Sequence, residues 1–270
     1  MERCIRLVLA YDGNNYCGWQ RQRQGEATIQ ATLEDRLLVL CGHPLTVHGA
    51  GRTDAGVHAL AMVAHFHTQV PHPLAAFSKG LNSLLPPDIR ILSADEAVPG
   101  FHSRFSAVAK IYRYDFFTGT VMLPAKRLYM AHLPGHFDVA PVREALEQLL
   151  GTHDFSSFER AGSRDLTCTE GRGATRTLSQ ASCLPIDDWP QGWSLRLEGD
   201  GFLRQMVRII AGTVIEIGQG KRPAGSIPQI LAARDRKTAG QTAPACGLFL
   251  EKVIYPPAPL IPVPDQSQHR

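Results

Sequence analysis

The chain has 270 residues, of which 44% are hydrophobic and 20% charged, ordinary values for a folded protein with one large core or two modest ones. Its 28 basic and 25 acidic residues give a net charge of +3, which permits an anionic partner without demanding one. Six scattered cysteines without a Cys-x-x-Cys pair, and apolar runs too short for a signal peptide or a membrane span, predict a cytoplasmic protein without a structural zinc site.

The first half of the chain alternates predicted strands and helices. Apolar patterning predicts strands at 4–11, 45–49, 59–68 and 89–98, and helices at 28–41 and 73–84. Thr28 can cap the first helix, and Gly42 can end it. The Gly-rich segment 49–58 is expected to connect two of the strands.

The second half nearly repeats that order. It predicts strands at 109–117, 174–184, 193–198 and 248–255, and helices at 138–150, 202–217 and 227–233. Asp138 can cap the first of these helices, and Gly151 can end it. The repeated order predicts an α+β fold of two βαββαβ, ferredoxin-like halves whose sheets join across a central catalytic cleft. The expected divisions are an N-terminal domain at 1–104, a C-terminal domain at 105–256 and a Pro-rich disordered tail at 257–270.

The segment 49–58 is rich in glycine but fits neither of the common phosphate-binding patterns. The dinucleotide fingerprint fails because Asp54 stands at the position of its third glycine, and no Lys-Ser/Thr follows Gly56 as a P-loop would require. What remains is a tight loop that presents Arg52, Thr53, Asp54 and His58. It is either a hairpin with exposed polar residues or a loop whose backbone approaches a ligand closely.

Two arginines interrupt the strongly apolar segment 202–217. Arg204 and Arg208 lie one turn apart on the narrow polar stripe of the predicted helix. Arginine is seldom buried without a partner, so one of them should face a carboxylate or a phosphate. The alternative is that both side chains extend to solvent.

Other polar and aromatic patterns leave their roles open. His65 and His67 share one face of a predicted strand, but a metal site would need further ligands that the sequence does not nominate. Tyr112 and Tyr114 also share a strand face, either as core packing or as a stacking platform. The loop around Arg21 suits contact with a nucleic-acid backbone or a solvated surface equally well.

Several short motifs together resemble the TruA-type tRNA pseudouridine synthases, from about residue 7 to residue 256. They are Tyr11-Asp-Gly-x-x-Tyr-x-Gly-Trp-Gln20, Gly51-Arg-Thr-Asp-Ala-Gly-Val-His58, Leu81-Asn-Ser-Leu-Leu-Pro86, Phe101-His-Ser-Arg-Phe105, Lys110-Ile-Tyr-Arg-Tyr114, Phe202-Leu-Arg-Gln-Met-Val-Arg208 and Ala243-Pro-Ala-Cys-Gly-Leu248. No single motif is long, but their order and spacing are specific.

The resemblance implies roles for individual residues. It implies that Asp54 is the catalytic aspartate, that Tyr112 lies against the target base, and that Arg208 pairs with Asp54. It also places Arg52 and Leu248 near the active site. Arg204 and Arg21 are expected to contact tRNA, and further phosphate contacts are expected from Arg23 and Arg113.

The resemblance also implies a substrate and an assembly. The substrate is uridine at positions 38, 39 and 40 in the anticodon stem-loop of tRNA, bound by a homodimer. The reaction is an isomerisation, so no cofactor and no metal are expected. Two other functions stay open on the residues alone: a non-catalytic RNA-binding module, because two βαββαβ halves suit paired RNA-recognition domains, and a nucleotide-dependent transferase that uses Gly49 to Gly56.

Overall fold

A computed structural model describes residues 2–22, 25–163 and 172–257. Arg23 and the tail beyond residue 257 lie outside the described residues, so the phosphate contact predicted for Arg23 and the disorder predicted for the tail stay predictions. In the described part of the chain, no helix is both long and apolar enough to cross a membrane.

The strands form one large mixed sheet. In chain order they are β1 (Arg3–Tyr11), β2 (His48–Gly49), β3 (His58–Thr68), β4 (Ile89–Glu96), β5 (Ala109–Phe117), β6 (Ala131–His132), β7 (Gly151–Asp154), β8 (Thr175–Ile186), β9 (Trp189–Gly199) and β10 (Leu248–Ile254). Their order across the sheet is β4-β1-β3-β10-β5-β9-β8-β7, while β2 pairs with β3 and β6 with β5. The β10–β3 and β5–β6 pairs are parallel, and the other pairs are antiparallel.

The helices are α1 (Ile29–Cys41), α2 (Leu81–Leu84), α3 (Val139–Glu147), α4 (Met206–Gly218) and α5 (Ile227–Ala233). A π-helical turn, Ala76–Gly80, leads directly into α2. As predicted, the Thr28 hydroxyl accepts a hydrogen bond from the Ala31 amide at the start of α1, and Gly42 ends the helix at φ 76°. The apolar face of α4 packs against α3 and β5, which makes α4 a core helix of the second half.

Several predicted elements have other limits in the structure, among them the strand predicted at 193–198, which is β9 and begins at Trp189. The strand predicted at 45–49 is only the two residues of β2. The helix predicted at 138–150 ends at Glu147, and Gly151, at φ 93°, begins the short strand β7 instead of closing the helix. The helix predicted at 202–217 begins only at Met206, because Gln205 adopts a left-handed conformation at φ 62°.

The mixed sheet and its helices confirm the predicted α+β class. The sheet is continuous between the two halves of the chain, because β10, the last strand in sequence, lies between β3 and β5. In β1, alternate residues (Ile5, Leu7, Leu9 and Tyr11) are buried, so one face of this strand packs into the core. The division into two βαββαβ domains stays a prediction.

Candidate active site

The segment that carries Asp54 is a tight loop between β2 and β3. The Val57 amide donates to the Asp54 carbonyl at 3.2 Å, which closes a turn at the end of the loop. Gly56 has a backbone φ of 75°, a conformation that residues other than glycine adopt only with strain. The loop therefore presents Asp54 from a compact turn, as the glycine content predicted.

Residues of the motif 11–20 contact the backbone of this loop beside Asp54. The Trp19 amide donates to the Thr53 carbonyl at 3.1 Å, and the hydroxyls of Tyr11 and Thr53 share a hydrogen bond of 2.9 Å. Gly18 packs so closely that a Cβ atom on it would lie 2.4 Å from the Thr53 carbonyl oxygen. The backbone beside Asp54 is thus fixed on both sides by residues of the segment 11–20.

Arg208 and Asp54 form an ion pair across the two halves of the chain. Arg208 Nη1 donates to Asp54 Oδ2 at 3.1 Å, and the two side chains are 14% and 24% exposed. Arg208 Nε donates to the Ala243 carbonyl at 2.8 Å, and the Ala243 amide donates back to the Arg208 carbonyl at 3.1 Å. The segment before β10 therefore orients the guanidinium toward the carboxylate.

Arg204 approaches the same carboxylate from a different position than predicted. It lies in the turn before α4 and not on the helix, so the one-turn spacing to Arg208 that the sequence suggested is wrong. Its Nε is 4.0 Å from Asp54 Oδ1, and its side chain is 55% exposed. Arg208 is consequently the buried partner of Asp54, and Arg204 is a cation at the mouth of the site.

Tyr112 lies beside this pair on β5. Its side chain is buried, and its ring meets the ring of Phe202 edge to face at a centroid distance of 5.0 Å. Burial raises the pKa of the Tyr112 hydroxyl, and the nearby charge of Asp54 raises it further. The hydroxyl is therefore neutral at ordinary pH and able to donate a proton or a hydrogen bond.

The other residues predicted for the site or for tRNA contact differ in their burial and in their partners. Leu248 is buried at the start of β10, opposite Tyr114. Arg52 is exposed on the loop, two residues before Asp54. Arg21 pairs with Glu34 of α1 at 3.0 Å, although it is 62% exposed. Arg113 lies on the opposite face of β5 from Tyr112, 3.1 Å from Asp115, so it does not line the same cleft.

Tyr114 and the histidine pair have structural partners. The Tyr114 hydroxyl donates to the Pro244 carbonyl at 3.0 Å, which makes this ring core packing and not a stacking platform. His65 is buried, and its Nδ1 lies 2.9 Å from the Ser103 hydroxyl. Within the described ranges, no group of three or more His, Cys, Asp or Glu side chains is arranged to hold a metal ion.

Two side chains near the centre were not singled out from the sequence. Phe202, the packing partner of Tyr112, was assigned to a helix that does not include it. Lys110 lies two residues before Tyr112, and its Nζ is 3.3 Å from the point that a Cβ on Gly51 would occupy. Strand alternation alone would have placed Lys110 on the same face as Tyr112.

Comparison with known proteins identifies the family of the chain. The family model described as tRNA pseudouridine synthase matches residues 7–106 and 145–256. The chain is 47% identical over 253 residues to tRNA pseudouridine synthase A 1 of Desulfotalea psychrophila, covering 94% of this chain and 100% of that protein. It is 44% identical to tRNA pseudouridine synthase A of Geobacter sulfurreducens, with the same coverage, and 40% identical to that of Syntrophotalea carbinolica, covering 94% of this chain and 96% of that protein. The chain therefore belongs to the tRNA pseudouridine synthase family.

Proposed function

We propose that this protein isomerises uridine to pseudouridine at positions 38, 39 and 40 of the tRNA anticodon stem-loop, with Asp54 as the catalytic carboxylate. Membership of the tRNA pseudouridine synthase family supports the reaction and the tRNA substrate. The observation that carries the assignment of Asp54 is its ion pair with Arg208, at 3.1 Å, in a matched family motif. The three positions and the homodimer rest on the resemblance of the motifs, and a cytoplasmic location rests on the six scattered cysteines.

The chemistry requires a charged carboxylate in a site from which water is largely excluded. In the reaction the bond between C1′ and N1 breaks, the uracil turns, and a bond forms between C1′ and C5. The C5 hydrogen leaves as a proton, and N1 gains one, so atoms balance without a redox partner. Asp54 serves either as the nucleophile or as the base that removes a ribose proton. Arg208 holds that carboxylate in place through a hydrogen bond of 3.1 Å from its Nη1.

Tyr112 is proposed to receive the target base. A uridine in a stem must leave its stack before it can reach Asp54, which costs a few kcal/mol. Stacking against an aromatic ring returns about 1–3 kcal/mol of that cost. The Tyr112 ring is held by Phe202 at the side of Asp54, where it can accept a flipped base. Arg204, half exposed at the mouth, suits contact with the backbone of the same nucleotide.

The test is release of tritium from tRNA that carries tritium at C5 of its uridines. The natural C5 hydrogen is lost only if the new carbon–carbon bond forms, so release measures the isomerisation itself. Transcripts with a single uridine at 38, 39 or 40, and a control transcript with none at these positions, would define the sites. Binding of these transcripts without tritium release would instead support a non-catalytic RNA-binding module.

A further inference from the structure

Lys110 lies at the edge of the proposed active site. It precedes Tyr112 by two residues on β5, so both side chains project from the same face of the sheet, about 6.6 Å apart along the strand. Its Nζ lies against Gly51, which is three residues before Asp54 on the catalytic loop. The ammonium group therefore sits between the loop that carries the carboxylate and the strand that carries the tyrosine.

Three arginines lie near this ammonium group. Among the described residues, none pairs with Lys110 through a hydrogen bond or an ion pair. In the part of the chain that the structure describes, the charges that lower its pKa are those of Arg104, Arg172 and Arg176. Arg172 pairs with Asp200, so its charge is partly compensated, while the guanidinium of Arg104 lies over the Phe105 ring.

The surroundings destabilise the charged form of Lys110. Burial, and after it the charges of the three arginines, together lower its pKa to about 8. A half-buried cation without a counter-ion is costly to a folded protein unless an anion is supplied from outside. The position of the group, against Gly51 of the loop that carries Asp54 and two residues before Tyr112 on β5, indicates where that anion would be.

We infer that Lys110 binds the phosphodiester group adjacent to the target uridine and thereby positions the flipped nucleotide over Asp54. The inference rests on the proposed function, because tRNA is the ligand that brings an anion at every nucleotide. The lysine ammonium group is a compact point charge with three hydrogen-bond donors, which suits contact with the two free oxygens of one phosphate group. Lys110 is a positioning residue in this arrangement and takes no part in bond breaking.

The experiment is a double-mutant cycle that combines a substitution in the protein with a chemical change in the RNA. Binding is measured with Asp54→Asn protein, which carries either Lys110 or Lys110→Met, so that no turnover alters the ligand. The RNAs are synthetic anticodon stem-loops in which one phosphate, on the 5′ or the 3′ side of the target uridine, is replaced by a neutral methylphosphonate. Lys252→Met is the matched control, because Lys252 is exposed on the neighbouring strand opposite Ile111 and so lies on the other face.

The expected result is coupling at one phosphate. A hydrogen bond to a charged group is worth about 1.5–3 kcal/mol, so Lys110→Met should weaken binding of the natural RNA by roughly 10- to 100-fold. One of the two methylphosphonates should weaken binding by a similar factor when Lys110 is present and have no further effect in Lys110→Met. Lys110→Arg should restore part of the affinity, and Lys252→Met should retain the sensitivity to that methylphosphonate.

Other outcomes would overturn the inference. Independent, multiplicative losses from Lys110→Met and from both methylphosphonates would mean that Lys110 touches neither phosphate. A fall in turnover of Lys110→Met in the Asp54 protein, with affinity and coupling unchanged, would assign Lys110 to proton transfer instead. Removing an unpaired charge should leave the free energy of unfolding equal or higher, so a Lys110→Met protein that fails to fold would assign Lys110 a structural role. Failure of the proposed function is recognised separately, as absence of tritium release by the unchanged enzyme.

Discussion

Arg208 donates to Asp54 across 154 residues of sequence, from the first turn of α4 to the loop between β2 and β3. The contact is a single hydrogen bond of 3.1 Å between groups that are mostly but not completely buried. This contact couples the position of the Asp54 carboxylate to the second half of the chain.

Replacing Asp54 should separate chemistry from binding. Asp54→Asn preserves the shape of the side chain but removes the charge, and the residue lies on a loop that other contacts hold. We expect no detectable tritium release, with an affinity for tRNA within about one order of magnitude of the unchanged protein. Measurable multiple turnover by Asp54→Asn would show that another group supplies the catalysis.

The two arginines near Asp54 should respond differently to truncation. Arg208→Ala leaves a mostly buried carboxylate without its partner, so we expect a loss of about 1–3 kcal/mol in the free energy of unfolding together with loss of turnover. Arg204→Ala should mainly weaken tRNA binding, because that side chain is half exposed and 4.0 Å from the carboxylate. Urea unfolding and tritium release on both variants measure the contrast, and the reverse ranking would make Arg204 the functional partner.

Tyr112→Phe tests whether the hydroxyl takes part in the chemistry. The variant keeps the ring that is packed on Phe202, so stacking of the base and therefore KM should change little. The raised pKa of Tyr112 keeps its proton in place at neutral pH, which makes the hydroxyl a donor and not a base. If it handles a proton, kcat should fall by roughly 10²–10⁴-fold. An unchanged kcat would leave Tyr112 a stacking surface alone.

Gly18→Ala should disturb the catalytic loop without touching it chemically. The new methyl group would lie 2.4 Å from the Thr53 carbonyl oxygen, at a backbone φ of 95°. The loop must move, and a shift of about 1 Å in a catalytic group can cost on the order of 10²-fold in rate. Gly25→Ala is the control, because Gly25 has a similar φ of 100° and the new methyl group would meet no atom within 4 Å from the described residues beyond its chain neighbours. Equal effects on kcat would point to backbone strain and not to displacement of Asp54.

Affinity for tRNA should depend on pH through Lys110. The free protein holds this group at a pKa of about 8, so the ammonium and its contact are present below that value and are lost as the pH rises through it. The charged groups of the described residues that act on it are Arg104, Arg172 and Arg176. Binding measured from pH 7 to pH 9.5 should weaken above about pH 8 in the unchanged protein. Lys110→Arg should remove that dependence, and a pH response that persists in it would assign the titration to another group.

Patterns with a simple period predicted much of the fold. β5 and α5 lie within the predicted limits, and the caps at Thr28 and Gly42 are in place, because these depend on local hydrogen bonding. The start of α4 could not be predicted, since the apolar pattern continues through Phe202 while the left-handed backbone at Gln205 carries no glycine to mark it.

The site was predicted in part, and for a different reason. Motif resemblance nominated Asp54 and Arg208, but nothing local says that residues so far apart in sequence should meet. The contact depends on Ala243, which holds the Arg208 guanidinium through the segment before β10. The sequence did not nominate Lys110, because this residue is distinguished by having no hydrogen-bond or ion-pair partner among the described residues. A sequence pattern does not show which side chains lie near one another in space.

The placement of β10 affects how the protein can be made. While the ribosome is still producing the second half, β3 has an open edge where β10 will later pair, and such an edge invites pairing with other chains. Pairing β10 with β5 joins residues that are far apart in sequence. Contacts of this kind form slowly during folding. Because Ala243, which holds the Arg208 guanidinium, lies just before β10, we expect Arg208 to be fixed against Asp54 only after β10 has paired with β3 and β5.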